Sequence, residues 1–197
     1  MAKAAADRTE ASKIKSAFPK AFVSSKVERG ELYVCVKREA IVDVLQFLKD
    51  DLGYEYFSEC LGVDYSTWKH ERDFTERFEV VYNLMTLNGY HRIFVKIGVD
   101  DGQKVPTAKH VYLGAEYPEK EIADLFGVIF EGNELRGERF LLPDDWSGFP
   151  LRKEYPLGGD DVIFDQNTRG PAVEDMSKPH AGESFEGKTG SGDVSGR

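Results

Sequence analysis

Two runs rich in β-branched and aromatic residues, Arg77-Phe-Glu-Val-Val-Tyr-Asn-Leu84 and His91-Arg-Ile-Phe-Val-Lys-Ile97, flank Asn88-Gly89. Such runs fit strands better than helices. Asn and Gly both tolerate φ > 0, as the two central positions of a type I′ turn require. The pattern predicts a long hairpin joined by that turn, and the rest of the chain must fit around it.

Helical spacing supplies its companions. Ile41, Val44, Leu45 and Leu48 fall at i, i+3, i+4 and i+7, an amphipathic helix ending before Gly53. A second helix has Pro118 in its first turn and Ile122, Leu125 and Phe126 on one face, with Gly127 as its stop. Ala4 to Phe18 reads as a further helix, with Ile14 and Phe18 on one face and Pro19 as its end. Leu32–Val36 is a short strand after the turn residues Arg29-Gly30, and Glu55–Val63 is a weakly marked one. The expected class is α+β: a mixed or antiparallel sheet containing the hairpin, with packed helices and then a long extended C-terminal arm. The expected divisions are a domain over 1–130, a proline- and aromatic-rich docking arm over 131–157, and an extended or disordered acidic tail over 158–197. The 40 residues of that tail hold only 7 large apolar side chains, too few to offset the entropy of ordering it.

Charge and cysteines narrow the function. Lys and Arg number 26 against 35 Asp and Glu, a net charge of −9, which disfavours nucleic acid as the main partner. No stretch approaches the ~20 apolar residues of a membrane span. The opening residues lack the apolar segment of a secretory signal, so the expectation is a chain that stays in the cytoplasm. Cys35 and Cys60 lack the paired spacing of a zinc or iron–sulfur site, and His70, His91, His110 and His180 are dispersed without a metal-binding pattern. Both cysteines read as small buried hydrophobes.

Gly182-Glu-Ser-Phe-Glu-Gly-Lys-Thr189 matches the Walker A pattern formally, but has neither the strand before nor the helix after that phosphate binding needs. Glu116, Glu119, Glu121 and Asp124 offer carboxylates near a helix start, where the macrodipole favours negative charge, so they read as a solvated or partner-facing surface. Leu141-Leu-Pro-Asp-Asp-Trp-Ser-Gly-Phe-Pro-Leu-Arg-Lys-Glu-Tyr-Pro-Leu157 sets Trp146, Phe149 and Tyr155 among three prolines beside Arg152-Lys153. Proline there disfavours helix and central strand, and aromatic and Arg side chains are enriched in interface hot spots. This is a docking arm whose partner the residues do not identify.

The blocks Glu119-Lys-Glu-Ile-Ala-Asp-Leu-Phe-Gly-Val-Ile-Phe130, Leu141–Trp146 and Pro150–Pro156, with Gly62-Val-Asp-Tyr65 ahead of Arg77–Tyr82, resemble the signature of the 30-kDa subunit of respiratory complex I, the C-subunit of bacterial NADH:quinone oxidoreductase. The resemblance covers about residues 55 to 157. Departures are Lys120 where Arg is usual, Ala123 where an aromatic is usual, Gly132-Asn133-Glu134 where the family has Gly-His-Pro, and Phe149 in place of a second histidine. The resemblance implies a cofactor-free, non-catalytic subunit of the peripheral arm. FMN and iron–sulfur clusters would sit in partner subunits, and NADH and quinone would be bound by the complex. It implies packing against the 49-kDa quinone-site subunit and neighbouring iron–sulfur subunits, on the cytoplasmic side of the membrane that the complex pumps protons across.

No catalytic, cofactor or metal residue is expected in this chain. The expected interface residues are Glu119, Lys120, Glu121 and Asp124 as helix-borne polar contacts, Arg136, Arg139, Arg152 and Lys153 as charged anchors, and Trp146, Phe149 and Tyr155 as apolar ones. The alternative is the equivalent subunit of a ferredoxin-, F420- or hydrogenase-linked complex. From another class come a small free-standing enzyme using the carboxylates near Glu119, or a nucleotide binder using Gly182–Thr189.

Overall fold

A computed structural model describes residues 9–134 and 139–155. The expected tail with its Gly182–Thr189 match, His180 and Arg136 lie outside the described residues. In chain order the elements are α1 (Glu10–Ala17), β1 (Phe22–Glu28), β2 (Glu31–Val36), α2 (Ile41–Asp50), β3 (Tyr56–Asp64), β4 (Phe78–Met85), β5 (Arg92–Val99), β6 (Lys104–Pro106), α3 (Glu116–Phe126) and β7 (Ile129–Glu131). Five strands form a mixed sheet in the order β1-β2-β5-β4-β3, in which β2 and β5 are parallel and all other neighbours antiparallel. A separate parallel pair joins β6 to β7. The class is α+β, with a mixed sheet, the hairpin and packed helices.

Side chains alternate between faces along a strand. Leu32, Val34 and Val36 of β2, Phe78, Val80, Tyr82 and Leu84 of β4, and Ile93, Val95, Ile97 and Val99 of β5 therefore share one face. They join Ile14 of α1, Ile41, Val44, Leu45 and Leu48 of α2 and Ile122 and Phe126 of α3 in one buried cluster. The opposite face is mixed: the Tyr33 and Phe94 rings stack at 4.8 Å, and Glu79 pairs with both Arg72 and Lys96.

The hairpin is β4–β5, paired in register from Phe78↔Val99 to Met85↔Arg92. Its link corrects the type I′ expectation. Positive φ falls on Gly89 (+87°) and Tyr90 (+54°), not on Asn88. β4 ends at Met85 and β5 begins at Arg92, so the connection is longer than two residues. The Thr86 N–H donates to the His91 carbonyl at 2.9 Å, and the Thr86 hydroxyl donates to the Asn88 carbonyl and accepts from the His91 N–H. The left-handed pair is thereby displaced by one residue from the Asn-Gly dipeptide.

Both interior helices match their apolar spacing, and α3 stops at Gly127 in the left-handed region (φ +77°). Of the expected first helix, Glu10–Ala17 is helical within the described residues. The weakly marked strand is β3, nine residues long, with a register shift between Phe57 and Glu59. β1, β6 and β7 had no sequence signal.

Candidate functional site

Three carboxylates turn inward around α3 and the segment 139–155. Glu119 is fully buried. It accepts hydrogen bonds from the Thr107 hydroxyl (2.5 Å), the Ala108 N–H (2.7 Å) and the Asn133 side-chain amide (3.2 Å), with the Tyr82 hydroxyl at 3.5 Å. Burial pushes its carboxyl above the usual range even though all of these donors favour the anion. The expectation of a solvated helix start is corrected for this residue: the turn after β6 supplies the donors that a buried carboxylate needs.

Asp124, one turn further along α3, gathers the returning chain. Its Oδ2 accepts from the backbone N–H groups of Phe140 (3.1 Å), Leu141 (2.9 Å) and Leu142 (3.1 Å). Its Oδ1 pairs with Arg139 at 3.0 Å. Burial alone would raise the Asp124 pKa, but Arg139 and these amides outweigh it and hold the carboxyl below its ordinary value. Arg139 then reaches the carbonyls of Trp146 (2.9 Å) and Gly148 (3.2 Å), joining the helix to the backbone on either side of Ser147.

Asp64, at the end of β3, forms the second anchor. Arg77 donates to it through Nε (3.2 Å) and Nη2 (2.8 Å), joined by the N–H groups of Ser66 (2.9 Å) and Lys153 (3.0 Å). Burial opposes ionisation here too, yet the Arg77 guanidinium and the two amides hold the carboxyl well below its usual range. Arg77 also pairs with Glu154.

Arg152 closes the arrangement. Its Nε donates to the Phe126 carbonyl at 2.7 Å, and its two Nη groups pair with Asp101 at 3.0 and 2.8 Å. The guanidinium lies 4.5 Å from the Phe149 ring centroid and 5.3 Å from that of Phe78, within cation–π range. Gly127 admits this packing: a Cβ there would stand 2.7 Å from Phe149 and from Arg152.

The expected interface residues thus divide. Glu119, Asp124, Arg139 and Arg152 spend their polar groups inside the chain, and Lys120 is buried. Glu121 and Lys153 have exposed side chains. Trp146, Phe149 and Tyr155 are half-buried, with the Tyr155 ring against Gly148. Arg136 is outside the described residues. Sequence reading did not foresee Thr107, Ala108 and Asn133 around Glu119, or Asp101 beside Arg152; these contacts span 11 to 51 positions and leave no local pattern. Phe140 and Leu141, within the expected arm but not among the expected interface residues, are exposed, as are Leu113 and Tyr117, which had no sequence signal; the Tyr117 and Phe140 rings lie 5.7 Å apart.

Chemically the arrangement builds a surface. Each of the three inward carboxylates is engaged by donors. Burial pushes the Cys35 thiol up to about 11 and that of Cys60 well above its usual value, so neither is a ready thiolate.

Residues 34–161 match the family model described as respiratory-chain NADH dehydrogenase, 30 Kd subunit. The NADH-quinone oxidoreductase C-subunit of Roseiflexus castenholzii is 41% identical over 162 residues, covering 81% of this chain and 89% of the relative. The C-subunit of the Geobacter metallireducens enzyme is 42% identical over 149 residues, 75% and 88% of the two chains. Among solved structures, the trypsin-resistant fragment (1-134) of Nqo5 superposes with a TM-score of 0.54 at 30% identity, over 62% of this chain and 95% of the fragment. A chain of an archaeal respiratory membrane complex, the membrane-bound sulfane sulfur reductase, shares the fold alone, with a TM-score of 0.62 at 24% identity over 90% and 95% of the chains. The hairpin sheet, the α3 helix and the segment folded against it therefore carry a shared signature as well as a shared fold, and the chain belongs to the 30-kDa subunit family of respiratory-chain NADH dehydrogenase, the C-subunit family of NADH-quinone oxidoreductases.

Proposed function

We propose that this chain is a cofactor-free, non-catalytic subunit of the peripheral arm of a proton-pumping NADH:quinone oxidoreductase. In this reading it packs against the 49-kDa quinone-site subunit and neighbouring iron–sulfur subunits on the cytoplasmic side of the membrane. The partners carry FMN and the clusters through which electrons pass from NADH to quinone. The observation that carries the reading is a set of exposed apolar side chains: Tyr117, whose ring meets that of Phe140, and Phe140 and Leu141, whose backbone amides Asp124 holds. Exposed aromatic and aliphatic side chains on a segment pinned by a buried carboxylate suit a preorganised docking surface, because little ordering entropy remains to be lost on binding. Glu121 and Lys153 supply its polar contacts, with Trp146, Phe149 and Tyr155 beside them; Arg136, outside the described residues, is a further charged contact in this reading. Glu119, Lys120, Asp124, Arg139 and Arg152 shape it from beneath.

No described helix is long and apolar enough to cross a membrane, so attachment runs through the partners in this reading. The test is purification of the chain from membranes in mild detergent, with mass spectrometry of what accompanies it. Flavin- and cluster-bearing NADH-oxidising subunits together with large membrane subunits are the expected result. The membrane subunits without the NADH-oxidising ones would assign a different electron donor, and a lone monomer would overturn the reading.

A further inference from the structure

β3 is an edge strand, hydrogen-bonded to β4 on one side only among the described residues. Beyond the register shift at Phe57/Glu59 it runs regularly from Glu59 to Asp64. A groove of about 170 Å3 follows its outer side, walled by Glu59, Cys60, Leu61 and Gly62 of β3, by Pro118, Glu121, Ile122, Leu125 and Phe126 of α3, and by Leu151. Consecutive β3 residues of both parities line it, so it opens on the backbone edge rather than on one face of the sheet. Its volume lies below the ~300 Å3 at which cofactor and metabolite sites begin, which suits side chains of a peptide.

The other sheet edge carries polar contacts of its own. On β1, Lys26 pairs with Glu28 and Ser24 donates to Asp73. Both edges expose apolar side chains to a similar degree, Val23 and Val27 on β1 and Tyr56 and Leu61 on β3, but β3 sets them beside the groove, with Leu151 nearly half exposed at its wall. An edge with free backbone groups and an apolar groove beside it is a template for an added strand. Its charge is one-sided: Glu59 and Glu121 stand on opposite walls, both exposed, and neither has a hydrogen-bond or ion-pair partner among the described residues. No basic residue lines the groove among the described residues.

We propose that this groove receives an extended segment of another subunit, which pairs with β3 as a sixth strand, sets an apolar side chain between Leu61 and Leu151, and places a Lys or Arg between Glu59 and Glu121. Backbone bonding supplies affinity, and the two carboxylates select a basic residue over an acidic one. The inference rests on the reading of this chain as an assembly subunit.

The test uses the full chain in the membrane complex, with the photoreactive residue p-benzoylphenylalanine in place of Leu61. After irradiation, the expected adduct is a peptide of a different subunit, in an extended stretch, with a Lys or Arg within two positions of the attachment. A Glu59→Lys variant should lower the adduct yield at least tenfold at low salt while the purified chain's melting temperature is unchanged, since Glu59 is exposed and lies outside the docking surface proposed above. An intact complex that gives no adduct, an adduct on a helix or an acidic stretch, or an adduct within this chain or on a second copy of it overturns the groove assignment and leaves the assembly reading standing. A chain that recovers no other subunit overturns both.

Discussion

Asp124 and Leu141 meet at 2.9 Å, the carboxylate of α3 accepting the backbone N–H of a residue 17 positions later, and the flanking amides of Phe140 and Leu142 converge on the same oxygen. Through that contact a side chain that reads as a surface charge becomes the fastening of the segment 139–155.

Asp124→Ala should therefore release the segment. The substitution strands three partly buried N–H groups and the Arg139 guanidinium, a loss of about 3 kcal/mol. Hydrogen exchange at residues 140–142 should accelerate by at least tenfold, with β4 and β5 unchanged. Amides that stay protected in the variant would show that something other than Asp124 holds the segment.

Gly127→Ala should act at the same joint by another route. The left-handed φ of +77° costs an alanine ~1–2 kcal/mol, and its Cβ would overlap Phe149 and Arg152 at 2.7 Å. A total of about 2–3 kcal/mol is expected, read as a fall in the urea midpoint with unchanged slope. A midpoint within error of the parent would mean that the segment shifts freely.

Much of this fold could be read from spacing, and the unread parts share a cause. The β4–β5 hairpin, α2 and α3 each send regularly spaced apolar side chains into the core, so their signals are strong. β1, Phe-Val-Ser-Ser-Lys-Val-Glu, is an edge strand left mostly exposed, and no period-2 apolar pattern marks it. β6 and β7 are three-residue strands whose parallel pairing joins Lys104 to Ile129, a partner no local window contains. The site followed the same rule. Aromatic residues and arginines of the arm stood out by composition, whereas the burial of Glu119 depends on Thr107, Ala108 and Asn133, brought together only by the tertiary fold.

The pH response of Glu119 separates burial from surface charge. Its folded pKa is raised, while in the unfolded chain it titrates near about 4.3. Its contribution to stability is therefore complete below that value and is lost as pH rises through the folded pKa. Glu119→Gln removes this slope, so the melting temperature of the variant relative to the parent should climb between pH 4 and 8. A pH-independent difference would show that the carboxyl titrates as it does in water.

Arg152→Glu should reduce the amount of assembled complex. The parent side chain binds the Phe126 carbonyl, pairs with Asp101 and covers Phe149, and reversing a charge of this kind costs ~2–5 kcal/mol once it is desolvated. Pairing the change with Asp101→Arg restores the ionic contact but neither the Phe126 hydrogen bond nor the stacking on Phe149. Asp101 is half exposed, so its share is the smaller one, and the double variant should regain only a minor part of the lost complex. Arg152→Lys should likewise assemble poorly, because an ammonium keeps the charge without the planar fork that serves a carbonyl, a carboxylate and a ring at once. The measurement is the level of intact complex on native gels against the parent. Normal levels in Arg152→Glu would remove Arg152 from the account of assembly altogether, and full rescue by the charge swap would reduce its part to the pair with Asp101.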